Sequence, residues 1–225
     1  MNTNILHNSN YYTPSDMPDL QYLIQEPSIP SLKKKAVILM HGVGSNEGDL
    51  FALANQLPKD FYVISVRGPF TLSTGRYAWF QVDFSTGRPV YNVDQESSSR
   101  NAVLNFVQEI KQKFAFEEIY LGGFSQGAIM GYTIGQLYPD KISGVIALGG
   151  RILEEIRPQI KTNDELKKLK VFIGHGTQDN TLPIHFARDA KNWLEFIGVN
   201  LSYNEYPIGH QISSEELADL CHWLQ

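Results

Sequence analysis

The chain has 225 residues, a formal net charge of −5 and 42% hydrophobic residues, a length that suits one domain and an apolar content too high for a disordered chain. The mild acidity gives no sign of nucleic-acid binding, and Lys33-Lys34-Lys35 is the only basic run. A single cysteine, Cys221, excludes an intrachain disulfide, and no run of 18 or more apolar residues is present that could span a membrane.

Residues 1–19 are rich in Asn, Ser, Thr and Pro and are expected to form a flexible N-terminal extension. Residues 1–10 lack the apolar core of a signal peptide, and the cysteine content fits a reducing compartment. Residues 20–225 read as one domain. Residues 36–40 form a continuous apolar run that stops at His41-Gly42, and residues 61–66 form another that stops before Arg67-Gly68-Pro69. Residues 119–121 lead into Gly122-Gly123, 144–148 end at Gly149-Gly150, 170–173 end at Gly174-His175-Gly176, and 201–206 end at Pro207. Runs this short, apolar on both faces and cut by glycine, predict buried parallel strands.

Helical patterns lie between them. Residues 46–57 place Leu50, Leu53, Ala54 and Leu57 on one face, and 96–114 gather Val103, Phe106, Val107 and Ile110. Residues 126–138 are small and apolar. Residues 183–197 have Pro183 at the start and Gly198 just past the end, and 213–223 open on Ser213-Ser214-Glu215-Glu216, a start resembling a capping box. This alternation predicts an α/β fold, a mostly parallel central sheet with helices on both faces. Residues 70–94 break the pattern, being long, aromatic and marked by turn signals at Ser73-Thr74-Gly75 and Ser85-Thr86-Gly87.

Gly123-Phe124-Ser125-Gln126-Gly127 matches G-x-S-x-G between a predicted strand and a predicted helix. Turning from strand to helix within one residue forces the serine into a strained conformation, and glycine at the flanks leaves room for the turn. Ser125 is therefore the candidate nucleophile, with the helix N-terminus beneath the developing oxyanion. The chain has six histidines. The order serine, acid, histidine leaves His185, His210 and His222 as candidate bases. His222 lies on the final helix beside Trp223 and His185 in the first turn of a helix. His210 sits in a loop directly after the last strand, at the sheet edge where such loops converge on the nucleophile. Asp179 follows an earlier strand at that edge and can fix the tautomer of His210; its bland alternative is a turn aspartate before Asn180, Thr181 and Pro183. The candidate oxyanion donors are the backbone N–H groups of Gln126 and of Val43, in the loop His41-Gly42-Val43-Gly44. His175 has no second ligand at metal-site spacing, and no metal or cofactor is expected.

Four blocks in order carry a family resemblance: Leu39-Met-His-Gly-Val-Gly-Ser-Asn-Glu47, Gly122-Gly-Phe-Ser-Gln-Gly127, Gly174-His-Gly-Thr-Gln-Asp179 and Tyr206-Pro-Ile-Gly-His210. A weaker fifth is Tyr77-Ala-Trp-Phe80. From about residue 20 onward the chain resembles the phospholipase/carboxylesterase family of the α/β-hydrolase superfamily, which includes the acyl-protein thioesterases. The resemblance implies serine-dependent hydrolysis of carboxyl esters or thioesters without metal or cofactor. It also implies a small-molecule ester or thioester substrate and a cytoplasmic enzyme, often a homodimer. Asn180-Thr181 departs from the Pro-Val common after the acid, and residues 1–19 have no obvious counterpart.

The aromatic segment holds Phe70, Tyr77, Trp79, Phe80, Phe84 and Tyr91. It reads either as an acyl-pocket wall or lid, with Trp79 and Phe80 as substrate-binding residues, or as packing or a dimer contact. Arg76 and Arg88 read as solvated. Two other functions stand beside esterase activity. One is a non-catalytic binding protein on this fold, which has no need of Ser, Asp and His in this order. The other is a different hydrolase reaction on the same triad; dienelactone hydrolysis would place Cys where Ser125 stands, and peptidases usually add a further domain.

Overall fold

The structure is a computed structural model that describes residues 20–83, 85 and 90–225; the extension expected over residues 1–19, and Phe84 and Arg88, lie outside them. A seven-stranded sheet runs through the molecule. Its strands are β1 (Tyr22–Gln25), β2 (Lys35–Met40), β3 (Phe61–Val66), β8 (Glu118–Phe124), β9 (Gly144–Leu148), β10 (Lys170–Gly176) and β11 (Asn200–Tyr206). Two short ribbons lie between β3 and β8 in the chain, β4 (Phe70–Ser73) with β5 (Arg76–Ala78), and β6 (Val82–Asp83) with β7 (Val90–Tyr91). The sheet order is β1-β3-β2-β8-β9-β10-β11, with every pairing parallel except β1 against β3.

The apolar runs are continuous because both faces of the strands are covered. Ala36, Ile38 and Met40 point into one core with Ile119, Leu121, Val145 and Ile173, beneath α2 (Val93–Phe114), α3 (Gln126–Leu137) and α5 (His185–Phe196). Val37 and Leu39 point the other way with Phe61, Ile146 and Phe172, beneath α1 (Glu47–Phe51) and α6 (Ser214–Trp223). A further short helix, α4 (Asp164–Lys168), adds Leu166 to the first core. This is the α/β-hydrolase arrangement. The basic run at residues 33–35 is engaged structurally: Lys33 pairs with Glu118 at 2.7 Å, Lys35 with Asp60 at 2.5 Å, and Lys34 Nζ donates to the Phe114 carbonyl. No helix of the described residues is long and apolar enough to cross a membrane.

Two expectations need correction. The helix expected over residues 46–57 is broken. α1 is capped by Asn46, whose side chain accepts from the Gly48 N–H, and stops after one turn. The chain then tightens through Leu53 N–H to Leu50 O and Gln56 N–H to Leu53 O, so Leu50, Ala54 and Leu57 still reach one core without a continuous helix. The sheet also gains β1, an edge strand absent from the sequence reading.

At the other end, α6 begins with the expected capping box: Ser213 Oγ accepts from the Glu216 N–H, and Glu216 Oε2 from the Ser213 N–H. The Glu216 side chain lies against β10 at Gly174, where a Cβ would come within 2.2 Å of its Oε1. Burial pushes its carboxyl up to about 7 from 4.5, opposed by the Ser213 N–H. An acid raised on folding stabilises fully below its unfolded value, and that contribution is lost as pH rises through the folded one. At about 1.4 kcal/mol per pH unit, the loss between these values is on the order of 3 kcal/mol. Glu216→Gln keeps the cap acceptor and removes the ionisation. Denaturant unfolding should find it close to wild type at pH 4.5 and clearly more stable at pH 8; a difference independent of pH would contradict this origin.

Candidate active site

The elbow is set by a collision that glycine avoids. At Gly123, φ is 153° and a Cβ would lie 2.0 Å from the Met40 carbonyl oxygen; at Gly127 it would lie 1.8 Å from the same atom. With glycine on both sides, the backbone folds over the end of β2 and reverses at Ser125, held at φ 54°, ψ −115°. Such a conformation persists only where the surroundings over-determine it. Here the Ser125 N–H donates to Leu148 O at 2.9 Å, and the Ser125 carbonyl accepts from Ile129 N–H at 3.1 Å, committing the chain to α3.

Ser125, His210 and Asp179 are brought together from three loops. His210 Nε2 lies 2.9 Å from Ser125 Oγ, and His210 Nδ1 lies 2.6 Å from Asp179 Oδ2. The loops that carry Asp179 and His210 are stitched by backbone bonds, Thr177 N–H to Tyr206 O at 2.7 Å and Gln178 N–H to Ile208 O at 2.9 Å. The imidazole also packs on Phe124, with centroids 4.7 Å apart. Asp179 is buried, and its two oxygens divide the work. Oδ1 accepts the Thr181 and Leu182 N–H groups, both at 2.8 Å, which is the turn-forming role; Oδ2 faces His210. Behind it, buried His175 donates from Nε2 to Leu182 O at 2.6 Å, which tightens the same turn. Desolvation holds His175 below the usual histidine range and therefore neutral. His185 packs at a tilt on Phe186 at the start of α5, and His222 lies in the last turn of α6.

The loop after β2 passes beside the serine: a Cβ on Gly42 would be 3.4 Å from Ser125 Cβ. Among the described residues none accepts from the N–H of Val43 or of Gln126, while the neighbouring Gly44 N–H donates to Tyr77 O at 2.8 Å. His41, to which the sequence assigned no role of its own within this loop, anchors it. Its Nε2 accepts from the Gly68 N–H at 2.9 Å, which leaves Nδ1 protonated and donating to Gly42 O at 2.8 Å. Burial holds His41 below the usual range, so the neutral ring these two bonds require is the favoured form. Arg67 clamps the loop's far end through a bidentate pair with Glu47 and covers the Tyr77 ring at 4.5 Å; its hydrogen bonds hold the Glu47 carboxyl below its ordinary value.

The expectation that Trp79 and Phe80 wall a pocket does not fit their positions. Trp79 has 0% and Phe80 2% of its surface exposed, and both belong to the core. The Trp79 indole N–H donates to His41 O at 3.0 Å, and Phe80 packs on Tyr91 with centroids 5.6 Å apart. A loop sequence does not reveal which way an aromatic ring faces, and these turn inward into the core cluster that α2 also lines, with Ser99 of α2 bonded to the Trp79 carbonyl. An apolar cleft of about 650 Å³ lies next to them instead, lined by Val43, Leu72, Val82, Val90 and Tyr91 among others. Val43 is 53% exposed. Arg76 is exposed, as expected of a solvated arginine. Among the described residues no group of three or more His, Cys, Asp or Glu is arranged to hold a metal ion.

The family model for phospholipase/carboxylesterase matches residues 23–225. The chain belongs to this family. It is an esterase of the serine-hydrolase type. Among relatives, it is 31% identical over 209 residues to an acyl-protein thioesterase 1 of Kluyveromyces lactis, covering 85% of this chain and 91% of that one. It is 30% identical over 223 residues to an acyl-protein thioesterase 1 of Candida albicans, covering 90% and 96%. A crystal structure of a Bacillus cereus carboxylesterase shares the family fold at TM-score 0.76, with 23% identity, over 91% of this chain and 92% of that one.

Removing a fully buried indole typically costs about 3 to 5 kcal/mol. Trp79→Ala should therefore unfold at markedly lower denaturant and lower the rate on all ester chain lengths by one common factor. A shift of the acyl-length optimum toward longer chains would restore Trp79 to the pocket wall.

Proposed function

We propose that the chain hydrolyses carboxyl esters and thioesters of short to medium acyl chains through an acyl-enzyme on Ser125. The observation that carries this reading is the unbroken hydrogen-bonded line from Ser125 Oγ through His210 to Asp179 Oδ2, at 2.9 and 2.6 Å, on a serine held at positive φ. Ser125 Oγ attacks the acyl carbon as its proton passes to His210 Nε2. Asp179 holds the ring so that Nδ1 keeps its proton and stabilises the imidazolium that forms. The carbonyl oxygen, now an anion, accepts from the N–H groups of Val43 and Gln126 at the N-terminus of α3. Collapse expels the alcohol or thiol, which takes the proton from His210. Water then repeats the sequence on the acyl-enzyme, releasing the acid and restoring Ser125.

The same reading places the acyl chain in the cleft that starts at Val43. Leu72, Val82 and Val90 offer it an apolar wall, and each methylene buried there should contribute up to about 0.8 kcal/mol until the cleft is full. A cleft of about 650 Å³ suits a chain of limited length. The ribbons β4–β5 and β6–β7 set its shape, so acyl-length preference is written on them and not on the sheet.

A fluorophosphonate should label Ser125 stoichiometrically and abolish turnover, and Ser125→Ala should be neither labelled nor active. An adduct on another serine would overturn the assignment of the nucleophile. His210→Ala and Asp179→Asn should each lower kcat by roughly 10³-fold or more with the fold retained. The double variant should be little worse than the worse single. Filling the cleft with Val82→Phe should move the kcat/KM optimum of a graded p-nitrophenyl ester series to shorter chains, with matched acyl thioesters following the same order. An unmoved optimum would remove the cleft from acyl recognition.

A further inference from the structure

We infer that the Gln126 side chain is a positioning residue that fixes the two oxyanion donors relative to each other, an inference resting on the reading of Ser125 as nucleophile. The residue that offers its backbone N–H to the oxyanion turns its side chain away from the site. The amide is buried, with Oε1 accepting from the Trp79 N–H at 2.8 Å and Nε2 donating to Phe80 O at 2.7 Å. It thus pairs with the 79–80 backbone as a neighbouring strand would.

The same short segment grips the other donor's loop. Trp79 Nε1 donates to His41 O at 3.0 Å, Tyr77 O accepts from Gly44 N–H at 2.8 Å, and the Tyr77 N–H donates to Ser45 O at 2.9 Å. Val43 is therefore held from both sides, at His41 by Trp79, which is itself bonded to Gln126, and at Gly44-Ser45 by Tyr77, two residues earlier in the same segment. Ser99 Oγ closes the construction from α2 by donating to Trp79 O at 2.5 Å. Residues 77–80 form a splint with the loop of Val43 on one side and the start of α3 on the other. This accounts for a Trp79 buried with its N–H satisfied, and for an amide at position 126. Only an uncharged group carrying donor and acceptor together satisfies the Trp79 N–H and the Phe80 carbonyl at once.

A carboxyl at this position distinguishes positioning from packing, because its two protonation states differ in the property that matters. Protonated, it can accept from the Trp79 N–H and donate to Phe80 O, as the amide does. Ionised, it has nothing to donate and its oxygen faces the Phe80 oxygen. Burial favours the protonated form and raises the pH at which the carboxyl ionises.

The experiment is steady-state kinetics on a short p-nitrophenyl ester from pH 5.5 to 9 for the full chain, comparing wild type, Gln126→Glu and Trp79→Phe, with thermal melts of each. At pH 9 Gln126→Glu should lose about 10²-fold in kcat with KM little changed, the scale expected when reacting groups are misplaced by about an ångström. The ratio of its kcat to that of wild type should climb as pH falls and the carboxyl protonates. Trp79→Phe, which keeps a buried ring and removes the bond to His41 O, should lower kcat about 10-fold without raising KM. A folded Gln126→Glu with wild-type kcat at pH 9, a loss carried by KM, or a ratio flat in pH overturns the inference. If Gln126→Glu does not fold, Trp79→Phe decides it: a kcat loss at constant KM supports it, and wild-type kcat overturns it. Failure of the underlying reading looks different. There the wild type itself neither turns over the ester nor is labelled at Ser125.

Discussion

The structure depends on one steric constraint, the contact between the carbonyl of Met40 at the end of β2 and the two glycines that flank the elbow. Gly123 and Gly127 both pass so close to that oxygen that neither could carry a Cβ. The chain therefore leaves β8 and enters α3 across the top of the neighbouring strand, and Ser125 projects where β2 and β8 end together. The loop that follows Met40 is the one carrying Val43, so the contact that makes the turn also brings an N–H donor beside it. The positions of Ser125 and of the Val43 loop, the proposed nucleophile and oxyanion donor, are consequences of one close packing of backbone on backbone, which explains why a five-residue motif says so much about the site.

Much of the layout was legible because buried parallel strands and their glycine stops leave a strong pattern. The runs at 61–66 and 144–148 coincide with β3 and β9, and the capping-box start at Ser213 coincides with α6. Chain order left three histidines open and the loop position after the last strand favoured His210; Ser125, His210 and Asp179, far apart in sequence, lie within hydrogen-bond distance of one another in space. What escaped was carried by weaker or non-local signals. β1 is a four-residue edge strand marked only by the alternation of Leu20, Tyr22 and Ile24, half covered by the core. His41 has its decisive partner 27 residues away at Gly68, and the Gln126 amide has its partners 46 and 47 residues away. The direction of Trp79 stays open in the sequence because it stands in an aromatic loop near a motif, and a linear pattern does not separate a ring that faces substrate from one that faces core.

Two neutral histidines behind the site share one design. His41 and His175 are both buried, and burial disfavours their charged forms. Each ties a loop to its own strand end: His41 joins the Val43 loop to Gly68, and His175 joins the Asp179 turn to Leu182. A charged residue in either place would bring desolvation cost and a field close to the triad. A neutral imidazole supplies directional bonds without a charge to desolvate. His210 differs from both in being only partly buried, packed on Phe124 and bonded through Nε2 to Ser125 and through Nδ1 to Asp179.

The order of strands in the sheet has a consequence for how the protein matures. Ser125 follows β8, while Asp179 and His210 follow β10 and β11, which pair in parallel from Lys170 with Asn200 through Gly176 with Tyr206. β9 separates the serine's strand from the acid's. Parallel neighbours cannot form through a tight hairpin, and contacts of such long sequence separation are slow to assemble. On the proposed reading, until β11 zips onto β10 the hydroxyl of Ser125 has no base and is an ordinary alcohol. A nascent or half-refolded chain would then be chemically inert toward acyl groups, and recovery of hydrolysis after denaturation would be a clock for the arrival of its C-terminal strand.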